Sequence, residues 1–250
     1  MRTTIDARTK GFTRLRAVIA CLGLAAWAGL CPAPALADTR IVDLKDPAPA
    51  YQAATPMGHA RMHLSAVLLP NRTVLATGGS GMEEMAHDAP PHAETYSPAS
   101  GTWTHTAHSR VARLYHSVAL LTPDGKVITA GSNPARKTEE LRIEMYWPGY
   151  LFHATRPTLT LQSQSTTFGG TVSATASDVD EICLMRPSAC THSCDNEQRL
   201  VDVTFTPGAG SSITIQMPDS ANLTPPGWYL VFGLDDRGVP SVGQWLQLGG

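Results

Sequence analysis

Past residue 37, no stretch of this 250-residue chain repeats apolar side chains at helical spacing over a convincing length, so a helical bundle is excluded. Positive charge is not in excess. Nineteen Lys and Arg face 21 Asp and Glu, a formal net charge of −2, and no basic surface argues for nucleic acid. Cysteine is scarce, at five residues, too few for a disulfide scaffold, so a hydrophobic core has to hold the fold. No apolar run is long enough to span a bilayer comfortably, since the longest ends after Ala17 to Cys31. What is present is 42% hydrophobic and 16% charged residues, the balance of a globular protein rather than a disordered one. With 21 glycines and 19 prolines, the chain is turn-rich and suits many short strands.

The N-terminus reads as a leader. Arg2, Arg8, Lys10, Arg14 and Arg16 precede the apolar run, and Ala35-Leu36-Ala37 supplies a small-x-small cleavage pattern. A signal peptide over 1–37, cleaved after Ala37, is expected, giving an exported, secreted protein with no membrane anchor after its removal. Taking its five basic residues and one acid from 19 and 21 leaves 14 against 20, a net charge of −6. Cys21 and Cys31 leave with it, so Cys183, Cys190 and Cys194 remain, at most one pair and one thiol.

An internal repeat organises the middle of the chain. Arg61-Met-His-Leu-Ser-Ala-Val-Leu-Leu-Pro returns as Arg113-Leu-Tyr-His-Ser-Val-Ala-Leu-Leu-Thr, and Glu94-Thr-Tyr96-Ser-Pro98 returns as Glu144-Met-Tyr146-Trp-Pro148. Tyr51 and Trp103 stand at the same distance before the two arginines. Each unit reads as strand, tight turn, strand ending in glycine, loop and further strands. A period near fifty residues with that content is a four-stranded blade of the kelch type. A blade is apolar on both faces and needs neighbours to cover it, and about two blades fit between 38 and 153. A propeller closed by this chain alone is not expected.

From 154 to 250 the repeat stops. Seven short alternating strands are expected, at Thr158-Leu-Thr-Leu-Gln, Thr171-Val-Ser-Ala-Thr, Glu181-Ile-Cys-Leu-Met, Leu200-Val-Asp-Val-Thr-Phe, Ser212-Ile-Thr-Ile-Gln, Trp228-Tyr-Leu-Val-Phe and Gln244-Trp-Leu-Gln-Leu. That density of strands, separated by Gly and Pro turns, is the pattern of an immunoglobulin-like β-sandwich. The fold class is therefore all-β, a partial kelch-type propeller followed by the sandwich.

Two segments carry a resemblance. Arg113-Leu-Tyr115-His116-Ser117-Val-Ala-Leu-Leu-Thr-Pro-Asp-Gly resembles the last-blade signature of the galactose oxidase and glyoxal oxidase family. Arg186-Pro-Ser-Ala-Cys-Thr191-His192-Ser-Cys-Asp195-Asn-Glu-Gln198-Arg199 resembles its C-terminal early-set sandwich. The flanks Tyr150-Leu-Phe, Arg156-Pro157, Pro225-Pro-Gly-Trp-Tyr-Leu-Val-Phe and Gly238-Val-Pro-Ser241 agree, so the likeness covers residues 40–248. It implies an extracellular copper radical oxidase ancestry, alcohols or aldehydes being oxidised with dioxygen to give hydrogen peroxide. It also implies one copper ion held by Tyr115, His116 and His192, with Tyr115 as the catalytic base. Phenolate oxygen and imidazole nitrogen suit tetragonal Cu(II). None of the six tyrosines matches the family's radical tyrosine, and no cysteine between the leader and Cys183 could join one. The Tyr–Cys radical cofactor is therefore not expected. Oxidising an alcohol removes two electrons and Cu(II) accepts one, so activity from this chain alone is in doubt.

Other readings stand beside this. Tyr115 and His116 are neighbours, and on a regular strand they would point to opposite faces, so shared ligation demands an irregular backbone. Cys190, His192 and Cys194, with Cys183, could hold zinc, against which stand buried thiols or one disulfide. The loop pairs His59/His63 and His105/His108 could bind metal or be solvated, as could His87 and His92. Asn71-Arg-Thr73 and Asn222-Leu-Thr224 are glycosylation sequons. The rival function is a non-catalytic extracellular binding or assembly module, or a truncated fragment. Its partner would be another chain, or a second copy, completing the propeller. A carbohydrate, alcohol or aldehyde could be a small-molecule partner.

Overall fold

The two landmarks of the repeat, an arginine before the first strand and a glutamate on the third, are partners. Arg61 Nη2 meets Glu94 Oε1 at 2.9 Å with both side chains buried, and Arg113 Nη2 meets Glu144 Oε2 at 3.5 Å. Each arginine also donates through Nη1 to a glycine carbonyl at the end of the second strand, Gly78 and Gly131, both at 2.8 Å. One guanidinium thus ties three strands of its unit together, which is why the pair recurs at one period.

A computed structural model describes residues 17–19, 37–82, 85–89, 92–135 and 137–249. The expected leader lies outside them except for Ala17–Ile19 (β1) and Ala37. Strand β1 pairs antiparallel with β2 (Thr39–Val42), and β2 with β3 (Gln52–Ala54). The first unit is a four-stranded antiparallel sheet in the order β4 (Met62–Leu68), β5 (Val74–Ser80), β6 (His92–Ser97), β7 (Thr102–His108). Among the described residues the second has three strands, β8 (Val118–Leu121), β9 (Val127–Ala130) and β10 (Glu144–Tyr146). Four were expected. Beyond Tyr146 the chain instead turns through a 3₁₀ segment at Gly149–Phe152, anchored by buried Tyr150, whose hydroxyl donates to Gly125 O at 2.5 Å. The two units share a core in which Val67, Leu69 and Leu75 meet Ala119, Val127 and Tyr150.

The sandwich follows in chain order as β11 (Thr158–Leu161), β12 (Ser165–Thr166), β13 (Thr171–Ser177), β14 (Glu181–Arg186), β15 (Cys190–Thr191), β16 (Cys194–Asp195), β17 (Arg199–Val203), β18 (Phe205–Pro207), β19 (Ser212–Gln216), β20 (Gly227–Leu234) and β21 (Gln244–Leu248). One sheet runs β11-β13-β19-β18 and the other β12-β21-β20-β14-β17. All seven expected segments are strands. Leu200 to Phe205 is divided, because the chain leaves one sheet at Val203 and joins the other at Phe205, as corner strands of sandwiches do. Alternation explains the inner faces: β13 buries Val172 and Ala174 and exposes the residues between them, against Ile182, Leu184, Ile213, Ile215 and Val231.

The outer face of the five-stranded sheet docks on the blades. Cys183, Met185, Leu230, Phe232 and Leu234 are buried there, with Leu68 and Leu121 packed against them. Burying side chains of this size contributes about 1.5–3 kcal/mol each. Arg156 bridges the seam, donating to Asp124 O, Pro240 O and Ser241 O at 3.1, 2.8 and 2.8 Å. The sandwich is therefore fixed against the blades, which positions the site.

Candidate metal centre

Arg113 to Ser117 is not a regular strand. Ser117 N closes a turn on Leu114 O at 3.1 Å, and His116 has a φ of 61°. This left-handed residue supplies the irregularity that adjacent Tyr and His ligands require. It brings the two rings to one side, stacked with centroids 4.0 Å apart and planes at 27°. The turn is held from both sides, by Ser132 Oγ accepting from Leu114 N at 2.8 Å and by Asn133 N donating to Tyr115 O at 2.9 Å. Gly131 lies so close beneath that a Cβ there would stand 2.8 Å from His116 O, and its φ of 68° also favours glycine.

The second imidazole arrives from the sandwich on a small hairpin, β15 and β16, paired Cys190↔Asp195 and Thr191↔Cys194. Its tip, His192 and Ser193, is left-handed at both residues, with φ of 50° and 64°. Asp195 shapes the base by accepting from Ala189 N, Glu197 N and Gln198 N at 3.0, 3.1 and 3.2 Å. The hairpin is fastened to the blades at three points. Cys190 Sγ donates to Ala119 O at 3.3 Å, Ser193 Oγ to His63 O at 3.2 Å, and Gln198 Nε2 to Ala66 O at 2.7 Å. Gln198 Oε1 accepts from Leu68 N in turn, so one carboxamide mimics a strand partner for β4.

The result is a cluster of rings. His192 lies 5.7 Å from Tyr115 and 5.3 Å from His116, centroid to centroid. Thr191 Oγ1 holds His192 Nδ1 at 2.6 Å, which leaves the far nitrogen, Nε2, for a ligand. Tyr115 is half-buried while His116 and His192 are exposed, so the cluster is open to solvent. The donor types gathered on this open face, one phenol and two imidazoles, are ones that transition metals accept. Among the described residues no group of three or more His, Cys, Asp or Glu is placed to hold a metal, so a three-donor centre here has to use the phenol.

His63 joins this cluster, its ring 5.0 Å from Tyr115 and its φ at 60°. The repeat carried the signal: His63 follows Arg61 by two residues, as Tyr115 follows Arg113. His63 does not pair with His59. Instead His59, His92, His105 and His108 form a separate row, with centroids 5.2 Å (His59–His105), 5.5 Å (His92–His105) and 3.9 Å (His92–His108) apart.

Among the described residues, Cys183, Cys190 and Cys194 form no disulfide and no group placed to hold a metal. All three are free thiols. Burial pushes Cys183 up to about 12, and burial together with the Asp195 carboxylate pushes Cys190 up to about 11, so both stay protonated at neutral pH. Cys190 faces a blade carbonyl, and Cys194 is exposed.

Blade sheets joined to a sandwich that sends a histidine hairpin back onto a Tyr-His turn define a class of all-β protein with a cluster of tyrosine and histidine rings between two structural units. The sequence comparisons agree with that class. Residues 28–150 match the glyoxal oxidase N-terminus family, and residues 153–248 match the galactose oxidase-like early set domain. The chain belongs to the galactose oxidase and glyoxal oxidase family. It is 30% identical over 200 residues to a galactose oxidase of Gibberella zeae, a match covering 76% of this chain and 29% of that protein. It is 30% identical over 246 residues to aldehyde oxidase GLOX1 of Arabidopsis thaliana, covering 86% and 40%. A fungal alcohol oxidase of the AA5 family, solved in complex with copper, superposes with a TM-score of 0.79 at 25% identity, covering 86% of this chain and 48% of that one. The chain thus spans less than half the length of these relatives.

Proposed function

We propose that this protein is an exported, copper-holding module of the oxidase type, with Tyr115, His116 and His192 as the ligands of one ion. The observation that carries this is the convergence of three rings from two structural units, at 4.0, 5.3 and 5.7 Å. Bound copper supplies a one-electron acceptor. The protein's own residues do the rest: Thr191 holds the direction of the His192 ring, the Leu114–Ser117 turn sets His116, and Tyr115, as its phenolate, would take the hydroxyl proton of an alcohol. Oxidation of that alcohol needs a second one-electron acceptor, which we assign to an added chain rather than to the three ligands. The leader pattern supports export, and among the described residues no helix is long and apolar enough to cross a membrane.

The test is copper titration followed by electron paramagnetic resonance on the wild type and on His192→Ala. The expected result is one Cu(II) per chain with nitrogen hyperfine structure from two imidazoles, reduced to one in the variant. Hyperfine structure unchanged by the substitution would remove His192 from the centre, and a wild type that takes up no copper would end the proposal.

A specific feature favours the assembly reading alongside it. Leu141, Ile143, Met145 and Trp147 alternate along the edge strand β10 and its flanks with exposures of 82%, 67%, 45% and 49%. Among the described residues nothing covers this face of the second unit, and its occupant is proposed to be another chain or a second copy.

A further inference from the structure

The outer face of the five-stranded sheet is divided in two. On β14 and β20 the residues Cys183, Met185, Leu230, Phe232 and Leu234 are at most 3% exposed beneath the blades. On the same face Trp228 and Trp245 are 47% and 42% exposed. Register makes them neighbours: Trp228 opposes Gln247 and Leu230 opposes Trp245, so the two indoles sit diagonally across β20 and β21. Their ring centroids are 6.3 Å apart and their planes cross at 87°. Two large apolar rings left in water beside a well-buried half of the same face call for a ligand.

Around them lies a cleft of about 670 Å³ lined by Trp228, Trp245, Gln164, Arg186, Pro187 and Glu197. That volume is in the range of small-molecule sites. The polar lining is built rather than loose. Arg186 Nη1 donates to Pro225 O and Pro226 O at 3.1 and 3.2 Å, its Nε pairs with Glu197, and its guanidinium lies over Tyr229 at 5.8 Å. The arginine and glutamate cancel each other's charge, which disfavours an ionic ligand and leaves planar donors and acceptors for a neutral one.

We propose that this cleft binds a neutral saccharide. A pyranose presents an apolar C–H face bordered by hydroxyls. One indole can stack on that face while the other, at right angles, walls its edge, and the Arg186–Glu197 pair and Gln164 meet the hydroxyl rim. The crossed rings form a corner rather than a flat platform, so the ligand is a chain end or short oligosaccharide, not a crystalline surface. This site is independent of the Tyr115–His116–His192 cluster and does not rest on copper.

The experiment uses the full chain on native affinity gels cast with galactomannan, arabinogalactan, starch or hydroxyethylcellulose, with tryptophan fluorescence titrated by trisaccharides cut from each. Retardation on at least one gel is expected, with a matching fluorescence change. Trp228→Ala and Trp245→Ala should each weaken binding about tenfold, equivalent to ~1.4 kcal/mol of lost stacking, and leave copper uptake unchanged. Trp228→Tyr should retain binding. Where an alanine variant melts early, Trp→Leu, apolar but not flat, makes the same comparison. Three outcomes overturn the proposal: no response to any of the four glycans, binding that survives loss of both tryptophans, or variants that alter only the oligomeric state.

Discussion

At the residue scale, the buried Arg61–Glu94 pair is the sharpest electrostatic commitment in the first unit. Burial by itself would raise the Glu94 carboxyl. The Arg61 guanidinium and the Gly58 N–H, at 2.6 Å, outweigh it and hold the group below the ordinary carboxylate value of 4.5. A carboxyl whose pKa is depressed on folding adds stability above its unfolded pKa and loses it as pH falls through the folded one. Thermal melts between pH 6 and pH 3 should therefore show stability dropping below about pH 4.5. Glu94→Gln leaves a buried guanidinium without its counter-charge, and this should lower stability at pH 7 by about 3–5 kcal/mol. It should also flatten the acid slope relative to wild type. Parallel slopes for the two proteins would assign the acid sensitivity to other carboxyls. The same pair explains why the repeat was legible in the sequence. A buried ion pair tolerates little substitution of either partner, so Arg61/Arg113 and Glu94/Glu144 stand out at nearly one spacing, 52 and 50 residues, and the structure shows each arginine paired with its glutamate. His63 was harder to place, because it follows Arg61 at the offset of Tyr115 from Arg113, yet its left-handed φ of 60° is matched by His116, at 61°.

At the element scale, the β15–β16 hairpin joins sandwich and blades, and Gln198 is its anchor. Its carboxamide makes both bonds of a strand partner, donating to Ala66 O at 2.7 Å and accepting from Leu68 N. Gln198→Ala leaves two backbone groups of β4 unpaired in a partly buried seam, which costs about 1–3 kcal/mol. Because Gln198 touches neither Tyr115 nor His116, its loss should also weaken copper uptake by letting His192 wander, while Gln198→Glu, which keeps the acceptor, should recover part of it. Calorimetric copper titration of the two variants checks this, and an affinity unchanged in Gln198→Ala would show that the hairpin holds its place without the anchor. The long alternating strands were readable because one face of each is buried. The hairpin was not: its strands are two residues long, its tip is left-handed at His192 and Ser193, and its shape comes from one carboxylate, Asp195, bonding three backbone amides. No periodicity records such an arrangement, and only the resemblance placed His192 near Tyr115. The expected fourth strand of the second unit failed for the opposite reason. The sequence pattern gave a blade's opening strands, and Tyr150 then turned the chain toward the sandwich.

At the scale of the whole molecule, the two blade sheets are covered unequally. The first unit has four strands and packs against the second, whereas β10 is an edge strand with its inward face tied down and its outward face bare. Glu144 bonds Ser109 Oγ and Arg110 N at 2.9 and 2.8 Å and Tyr146 packs inward, while Leu141, Ile143, Met145 and Trp147 alternate with them into solvent. An edge strand with an apolar row on its outward face is of the kind that recruits another chain. Light scattering across a concentration series should show a concentration-dependent dimer or larger assembly. A charge at the centre of the row, Ile143→Lys, should return the monomer without lowering the melting temperature, since Ile143 makes little contact within its own chain. Such a monomer should still take up copper if the proposal holds, because Tyr115, His116 and His192 meet within one chain. A wild type that stays monomeric at every concentration would mean that the β10 face tolerates water and that completing the propeller is not what this surface does.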